Sequence, residues 1–330
     1  MLRFFRSSGR MVISIILLTG ILTWLHVLIE PAIVLSGKYG TFMYRALNGW
    51  MVDMPAWYAW CGMILFLLTA VLLVSVNNRF HLIEKSPYLP ALCYVLLIGG
   101  IPEIHLLNPA IIAAILLMIG FVFLAKSFES ERLSYGYFVA PVFISTAAFF
   151  YQYMYAYMLI VWVAIVLYRP GYWREWVFSI FGFAVPLFLA FSWFFLVDDD
   201  YTRLGVFFEE IFSLERMMPS ISMPTAVFTA LCIAIGVFAS WRLLHYLGSK
   251  KIIFRNRHKI LILIAGVTAG LVIIVPDMFP QAWYLLAFPM SYIIANYLAT
   301  TKSLRRGTVL LGILFAAVMA AQVINIFKIM

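Results

Sequence analysis

Charged residues are scarce in this sequence. Asp, Glu, Lys and Arg make up only 11% of its 330 residues, whereas 65% are hydrophobic and the mean hydropathy is +1.01. A water-soluble domain of this size cannot hide so much apolar surface, because its exterior needs more polar side chains to stay hydrated. Apolar runs such as 11–29 and 176–197 are long enough to cross about 30 Å of hydrocarbon as helices. The sequence therefore predicts an all-α, polytopic transmembrane helical bundle.

Cysteines and familiar catalytic motifs are also scarce. The three cysteines, Cys61, Cys93 and Cys232, lie inside apolar runs, and no pair of them has metal-ligand or redox spacing. No P-loop, GxGxxG, HExxH, GxSxG or CxxC motif occurs. ATP-driven transport and the common soluble catalytic classes therefore receive no support, and the sequence indicates no certain cofactor.

About eleven apolar segments are predicted to span the membrane within one integral membrane domain. Residues 1–197 form a predicted module of about seven spans, 198–223 an outer loop, and 224–330 about four further spans. The segments 88–101 and 136–150 are short, so their connecting turns are expected to lie sunk within the protein. The predicted spans are 11–29, 56–76, 88–101, 109–125, 136–150, 153–168, 176–197, 224–246, 260–275, 281–299 and 307–327.

Most Lys and Arg residues lie on one side of the membrane in this predicted topology. With the N-terminus in the cytoplasm, about 18 of the 23 Lys and Arg residues fall at cytoplasmic ends, and about 10 of the 14 acidic residues fall outside. The basic balance is therefore interpreted as an orientation signal with some attraction to anionic lipid headgroups. We expect membrane lipids as partners and no nucleic acid.

The two long loops, about 30–55 and 198–223, both lie outside in this topology. Each contains an amphipathic helix pattern, with apolar residues on one face and polar residues on the other. Such helices lie in the membrane interface with aromatic side chains dipped into the acyl boundary. The apolar faces consist of Phe42, Met43, Ala46, Leu47, Trp50 and Met51 in the first loop, and of Leu204, Phe207, Phe208, Ile211 and Phe212 in the second.

The stretch "GGIPEIHLLNP" (99–109) forms the predicted outer turn between the third and fourth spans, and it contains Glu103 and His105. A carboxylate at the edge of the hydrocarbon is costly unless it is paired or wet, so an outward cavity here is a candidate site. In that interpretation the two residues act as a general base and an orienting group for an acceptor hydroxyl. The alternative is that Pro102 and Pro109 make the turn, and Glu103 and His105 keep its tip wet.

Other acidic residues are predicted to face the same side. Asp53 follows the first amphipathic helix and Glu30 ends the first span, so each is either a substitute catalytic base or a rim charge. The triplet Asp198, Asp199 and Asp200 either shares a divalent cation, which would be the only cofactor indicated, or forms a solvated rim.

Two further clusters carry candidate ligand contacts. In "FFYQYMYAYMLIVW", the residues Tyr151 and Tyr153 either belong to an interfacial aromatic belt or line a cavity in which they stack on a sugar. In "YRPGYWREW", the residues Arg169 and Arg174 either clamp a lipid phosphate or serve topology and anchoring alone.

The order of these features resembles the GT-C class of polytopic glycosyltransferases, which take sugars from polyprenyl-phosphate donors. Shared features are a cytoplasmic N-terminus, two outer loops with amphipathic helices, and intervening spans that include two short hairpins. Residues 135–189 resemble the fifth-to-seventh span region of that class. The pattern "YRPGYWREW…FGFAVP" is similar to an uncharacterised family of Bacteroidota inner-membrane proteins. The resemblance implies a bacterial inner-membrane protein that handles a polyprenyl-phosphate-linked sugar or envelope glycan at the outer leaflet.

One departure from that class matters for function. GT-C enzymes generally carry an Asp or an Asp-Glu pair early in the first outer loop, whereas "SGKYGTFMYRALNGWMVD" contains only Asp53, late in the stretch. Either Asp53 or Glu30 substitutes, or Glu103 reaches in from the neighbouring turn, or the fold is kept without the chemistry.

Three functions stay open at this point. The first is a transferase, and the second is a non-catalytic subunit that docks an envelope protein partner through its amphipathic helices. The third, a lipid or small-solute transporter, is less favoured because the sequence shows no internal repeat and only His26 lies well inside a span.

Overall fold

Helices form nearly all of the chain that the structure describes. The computed structural model describes residues 2–6, 10–29, 41–51, 54–84, 86–129, 135–169, 171–197, 221–301 and 303–329. Within these ranges the chain contains helices and turns and no β-strand, which confirms the all-α prediction for this part of the protein. The helices are α1 (Leu2–Phe5), α2 (Arg10–Ile29), α3 (Phe42–Met51), α4 (Pro55–Phe80), α5 (Leu89–Gly99), α6 (Pro109–Lys126), α7 (Gly136–Ala148), α8 (Met158–Tyr168), α9 (Trp173–Val197), α10 (Met223–Leu247), α11 (Ile252–Ile274), α12 (Trp283–Thr300) and α13 (Leu304–Ile329).

By length and composition, 7 of the described helices could cross a membrane, namely α2, α4, α6, α9, α10, α11 and α13. The helices α5 and α7 and the segment Gln152–Tyr168 are apolar but shorter. Helix α12 has 18 residues, but its serine, asparagine and tyrosine side chains make it less apolar than those 7. The multi-pass membrane prediction is therefore supported. Each predicted span contains a helix, but the number of crossings, about eleven, stays a prediction.

The centre of the bundle is built from α5 and α12, two helices outside that group of 7. Every residue of α5 is buried, and so are all but a few residues of α12. Helix α12 packs against α5, α6, α10 and α11, while α5 also packs against α2 and α4. On α12, the Tyr292 hydroxyl donates to the Leu73 carbonyl oxygen at 2.7 Å, as a buried polar group requires. A helix of the predicted C-terminal group is thus packed into the predicted N-terminal module.

Contacts at the two ends of the helices separate the predicted outer loops from the predicted cytoplasmic ones. At one end, which we call the turn end, the 101–108, 149–157 and 275–282 segments meet the ends of α3, α10 and α13. The other end, which we call the basic end, joins the loops around 80–88, 126–129, 168–173, 247–252 and 298–306. The turn-end bonds include Tyr44–Leu107, Thr41–Ala148, Tyr151–Met278, Tyr284–Ile104 and Gln322–Gly99. The basic-end contacts include Arg257–Phe80, Arg169–Ser127, Lys250–Glu84 and Arg6–Leu298.

The first amphipathic helix is confirmed as α3, and Tyr44 anchors it to the bundle. Tyr44 is fully buried, and its hydroxyl donates to the Leu107 carbonyl oxygen at 3.0 Å and contacts the Tyr58 hydroxyl. Met43 and Trp50, from the predicted apolar face, are exposed. These two side chains of the predicted apolar face therefore do not pack into the bundle. The second amphipathic pattern, around 204–212, lies outside the described residues.

Two glycines let the 101–108 turn approach its neighbours. A Cβ on Gly62 of α4 would lie 2.6 Å from the backbone nitrogen of Leu107. A Cβ on Gly100 would lie 2.1 Å from the ring of Phe228. Small residues at such points allow backbones in a membrane bundle to pack closely. The prediction that this turn is sunk within the protein is confirmed, because most of its residues are buried.

We expect Gly62→Ala to destabilise the detergent-solubilised protein by about 1–3 kcal/mol, because the new methyl group meets backbone that cannot rotate away. Thermal unfolding followed by size-exclusion chromatography measures the effect. Gly270→Ala is the matched control, since a Cβ at that helical position meets nothing within 4 Å. Equal melting temperatures for the two variants would contradict the close packing of the turn on α4.

Candidate functional site

The 101–108 turn is held by its own capping interactions. Residues Pro102–Ile104 form a single 3-10 turn, and Pro109 begins α6. The Asn108 side chain caps α6, because its oxygen accepts from the Ile111 backbone N–H at 3.1 Å and its Nδ2 donates to the Ile104 carbonyl oxygen at 3.3 Å. The Tyr284 hydroxyl donates to the same carbonyl oxygen at 3.0 Å. The turn is therefore held both by its own residue Asn108 and by Tyr284 of α12.

His105 is fully buried beneath this turn, so the expectation that it keeps the turn tip wet is wrong. Its ring stacks on Trp24 of α2, with the centroids 5.1 Å apart and the planes at 14°, and it lies 5.3 Å from the His26 ring. Its Nε2 lies 3.0 Å from the Ile98 carbonyl oxygen. Burial and the neighbouring His26 lower the pKa of His105 to about 3. The neutral imidazole therefore joins the turn to α2 and α5.

Glu103 is exposed, which is compatible with both interpretations of this residue. It lines a small cleft of 30 Å³ with Pro102, Ser222 and Thr225, beside the C-terminal part of α13. The Ser222 hydroxyl donates to the Thr225 hydroxyl at 2.9 Å. The cleft thus combines one exposed carboxylate with two hydroxyl groups. Such a set can exchange a proton and orient a hydroxyl.

The structure leaves the other acidic candidates unplaced. Asp53, Glu30 and the triplet Asp198, Asp199 and Asp200 lie outside the described residues, and their catalytic or metal-binding roles stay predictions. Within the described ranges, no group of 3 or more His, Cys, Asp or Glu side chains could hold a metal ion.

The tyrosine cluster packs inward at the turn end. Tyr151 is buried, and its hydroxyl donates to the Met278 carbonyl oxygen at 3.4 Å. Tyr153 is half-buried and meets Tyr151 edge-on, with centroids 5.2 Å apart. Tyr157 is fully buried and shares a 2.6 Å hydrogen bond with Thr268. An exposed aromatic belt is therefore wrong for Tyr151, while sugar stacking by Tyr153 stays a prediction.

The two arginines of the predicted phosphate clamp differ in environment. Arg169 is buried at the basic end, where its Nη1 lies 3.5 Å from a Glu175 carboxylate oxygen and its Nη2 donates to the Ser127 carbonyl oxygen at 3.4 Å. Arg174 is exposed. Arg169 is thus committed to protein contacts, and lipid binding stays a prediction for Arg174.

Sequence reasoning missed the ion pairs that tie the basic end together. Arg257 pairs with Glu129 and also donates to the Phe80 carbonyl oxygen at 3.3 Å. Lys250 lies 3.7 Å from Glu84, beside a 180 Å³ cleft. The sequence did contain a signal for these pairs. Glu84 and Glu129 lie in basic loops, where a glutamate can pair with a nearby cation.

Comparisons of the chain with protein-family models, with curated proteins and with solved structures found no match.

Acidification should destabilise the protein through His105. Its folded pKa of about 3 lies below the ordinary value of 6.5, so the unfolded chain gains a proton between these pH values and the folded chain does not. The stability due to the neutral ring is complete above about pH 6.5 and falls as the pH drops, by about 2 kcal/mol at pH 5.

The measurement is the unfolding midpoint in detergent at about pH 7.5 and about pH 5 for the wild type and for His105→Gln. The variant should lose less stability on acidification than the wild type. Equal losses would show that the imidazole is not the group responsible.

Proposed function

We propose that this chain is a multi-pass membrane protein that acts on a polyprenyl-phosphate-linked sugar at its turn end, as its resemblance to GT-C enzymes implies. The observation that carries the proposal is the position of Glu103. Its exposed carboxylate lies in a cleft beside Ser222, where the described chain resumes after the predicted second outer loop. A base at this position is accessible to a substrate held by the outer loops.

In the proposed reaction, Glu103 takes the proton of an acceptor hydroxyl as its oxygen attacks the anomeric carbon of the donor sugar. The bond between that carbon and the phosphate oxygen breaks, and polyprenyl phosphate leaves with the electron pair. In this proposal the Ser222 hydroxyl orients the acceptor, and the buried Thr225 hydroxyl holds Ser222 in position. The 30 Å³ cleft has room for about one water molecule, so the sugar would lie above it, next to the outer loops.

Glu103→Gln tests the proposal directly. The assay adds purified protein and radiolabelled polyprenyl-phosphate glucose to membranes from a strain that lacks the gene, because those membranes supply the acceptor. We expect the amide to lower the rate of label transfer by about 10²–10⁴-fold, since it cannot accept the proton. Glu103→Asp should retain part of the activity.

The matched control is Glu84→Gln, which removes an exposed carboxylate at the basic end. It should leave the transfer rate unchanged. Wild-type transfer by Glu103→Gln, with an unchanged melting temperature, would refute the role of Glu103 and with it the proposed mechanism.

A second candidate function is supported by the exposed face of α3. Met43 and Trp50 are exposed at the turn end of a helix that Tyr44 fixes to the bundle, and an exposed apolar face of this kind suits docking. A non-catalytic subunit would tolerate Glu103→Gln but lose its partner on Trp50→Ser. Co-purification of envelope proteins with the two variants separates this function from the transferase.

A further inference from the structure

An apolar groove lies between α10 and α13 at the surface of the bundle. It has a volume of 440 Å³, and its walls include Leu231, Ile235, Val309 and Ile313. Tyr297 of α12 also lines it and meets Phe238 edge-on, with centroids 5.4 Å apart. The four aliphatic side chains thus line a shallow, open groove between the two helices.

The groove has a polar mouth and an apolar interior. Arg305 and Arg306 line it in the first turn of α13, at the basic end. Ile313 lies about 12 Å further along the helix, at a rise of about 1.5 Å per residue. On the opposite wall, Ile235 lies in the middle of α10. The groove thus leads from two guanidinium groups toward the centre of the bundle.

The two arginines at the mouth of the groove are available to a ligand. Both are exposed, and neither forms an ion pair with any residue in the described part of the chain. By contrast, three other cations are each matched with a glutamate, in the pairs Arg169–Glu175, Arg257–Glu129 and Lys250–Glu84. Two positive charges at the mouth of an apolar groove, with no acidic partner among the described residues, suit an anionic ligand with a long apolar part.

We propose that this groove binds an anionic glycerophospholipid. Its phosphate receives charge-assisted hydrogen bonds from Arg305 and Arg306, which suit phosphate oxygens in geometry and charge. One acyl chain lies along Leu231, Ile235 and Ile313. A lipid with a choline headgroup brings its own cation to the same place, so it gains less from the two arginines. The site is at the opposite end from Glu103 and is independent of the proposed transfer reaction.

The experiment counts lipids retained by the whole protein. The protein is released from nanodiscs of mixed phosphatidylglycerol and phosphatidylcholine and examined by native mass spectrometry. We expect the wild type to retain phosphatidylglycerol, and the double variant Arg305→Gln/Arg306→Gln to retain about tenfold less, because two charge-assisted hydrogen bonds are lost. Both side chains are exposed, so the melting temperature should change little.

The matched control is Arg79→Gln/Lys251→Gln, which removes two exposed positive charges from the same end of the bundle. It should retain phosphatidylglycerol as the wild type does. Equal loss in both double variants would overturn the proposal, because it would show diffuse attraction to the basic end rather than a site.

Two further arms test the apolar part. Val309→Trp fills the groove and should lower retention although both arginines remain. Soluble glycerol phosphate, which has the headgroup charge but no acyl chain, should not displace the lipid. Retention by Val309→Trp, or full displacement by glycerol phosphate, would overturn acyl binding in the groove. A co-purified protein in place of the lipid would assign the groove to a protein partner and overturn the proposal as well.

Discussion

A turn buried inside a membrane bundle must obtain its hydrogen-bond partners from protein, because hydrocarbon supplies none. The 101–108 turn meets this constraint with a cap from Asn108 and with hydroxyl donors from Tyr44 and Tyr284. Its backbone packs on Gly62. These contacts fix the position of α3 and join the turn to α12. They also leave Glu103 directed toward solvent from a rigid support, which is the property that a positioned base needs.

The sequence was sufficient to predict the helices and the sunk turn, because run length and the short 88–101 segment carry that information. It could not predict the burial of His105, since that depends on Trp24 from a distant helix. The attachment of α3 through Tyr44 could not be predicted for a related reason. Periodicity shows which residues share a face, but the hydrogen bond of Tyr44 to another element decides which face packs.

Counting charges predicted which loops share an end of the bundle, but it gave no information on how individual charges are balanced. Arg169 and Arg174 are separated by a few residues, yet one is buried against Glu175 and the other is exposed. Arg305 and Arg306 look like ordinary topology signals in the sequence. Their groove is formed by α10 and α13, and it becomes visible only when both helices are in place.

The position of α12 near the end of the chain has a consequence for biosynthesis. Three side chains of α12 donate hydrogen bonds to carbonyl oxygens that lie 180 to 219 residues earlier in the chain. These bonds are Trp283–Leu97, Tyr284–Ile104 and Tyr292–Leu73. A ribosome adding about 5–20 residues per second delivers those donors about 10–40 s later. In that interval the short α5 lacks its main neighbour. The centre of the bundle is therefore completed only after α12 has been synthesised, and a chain truncated before residue 283 would lack all three of these hydrogen bonds.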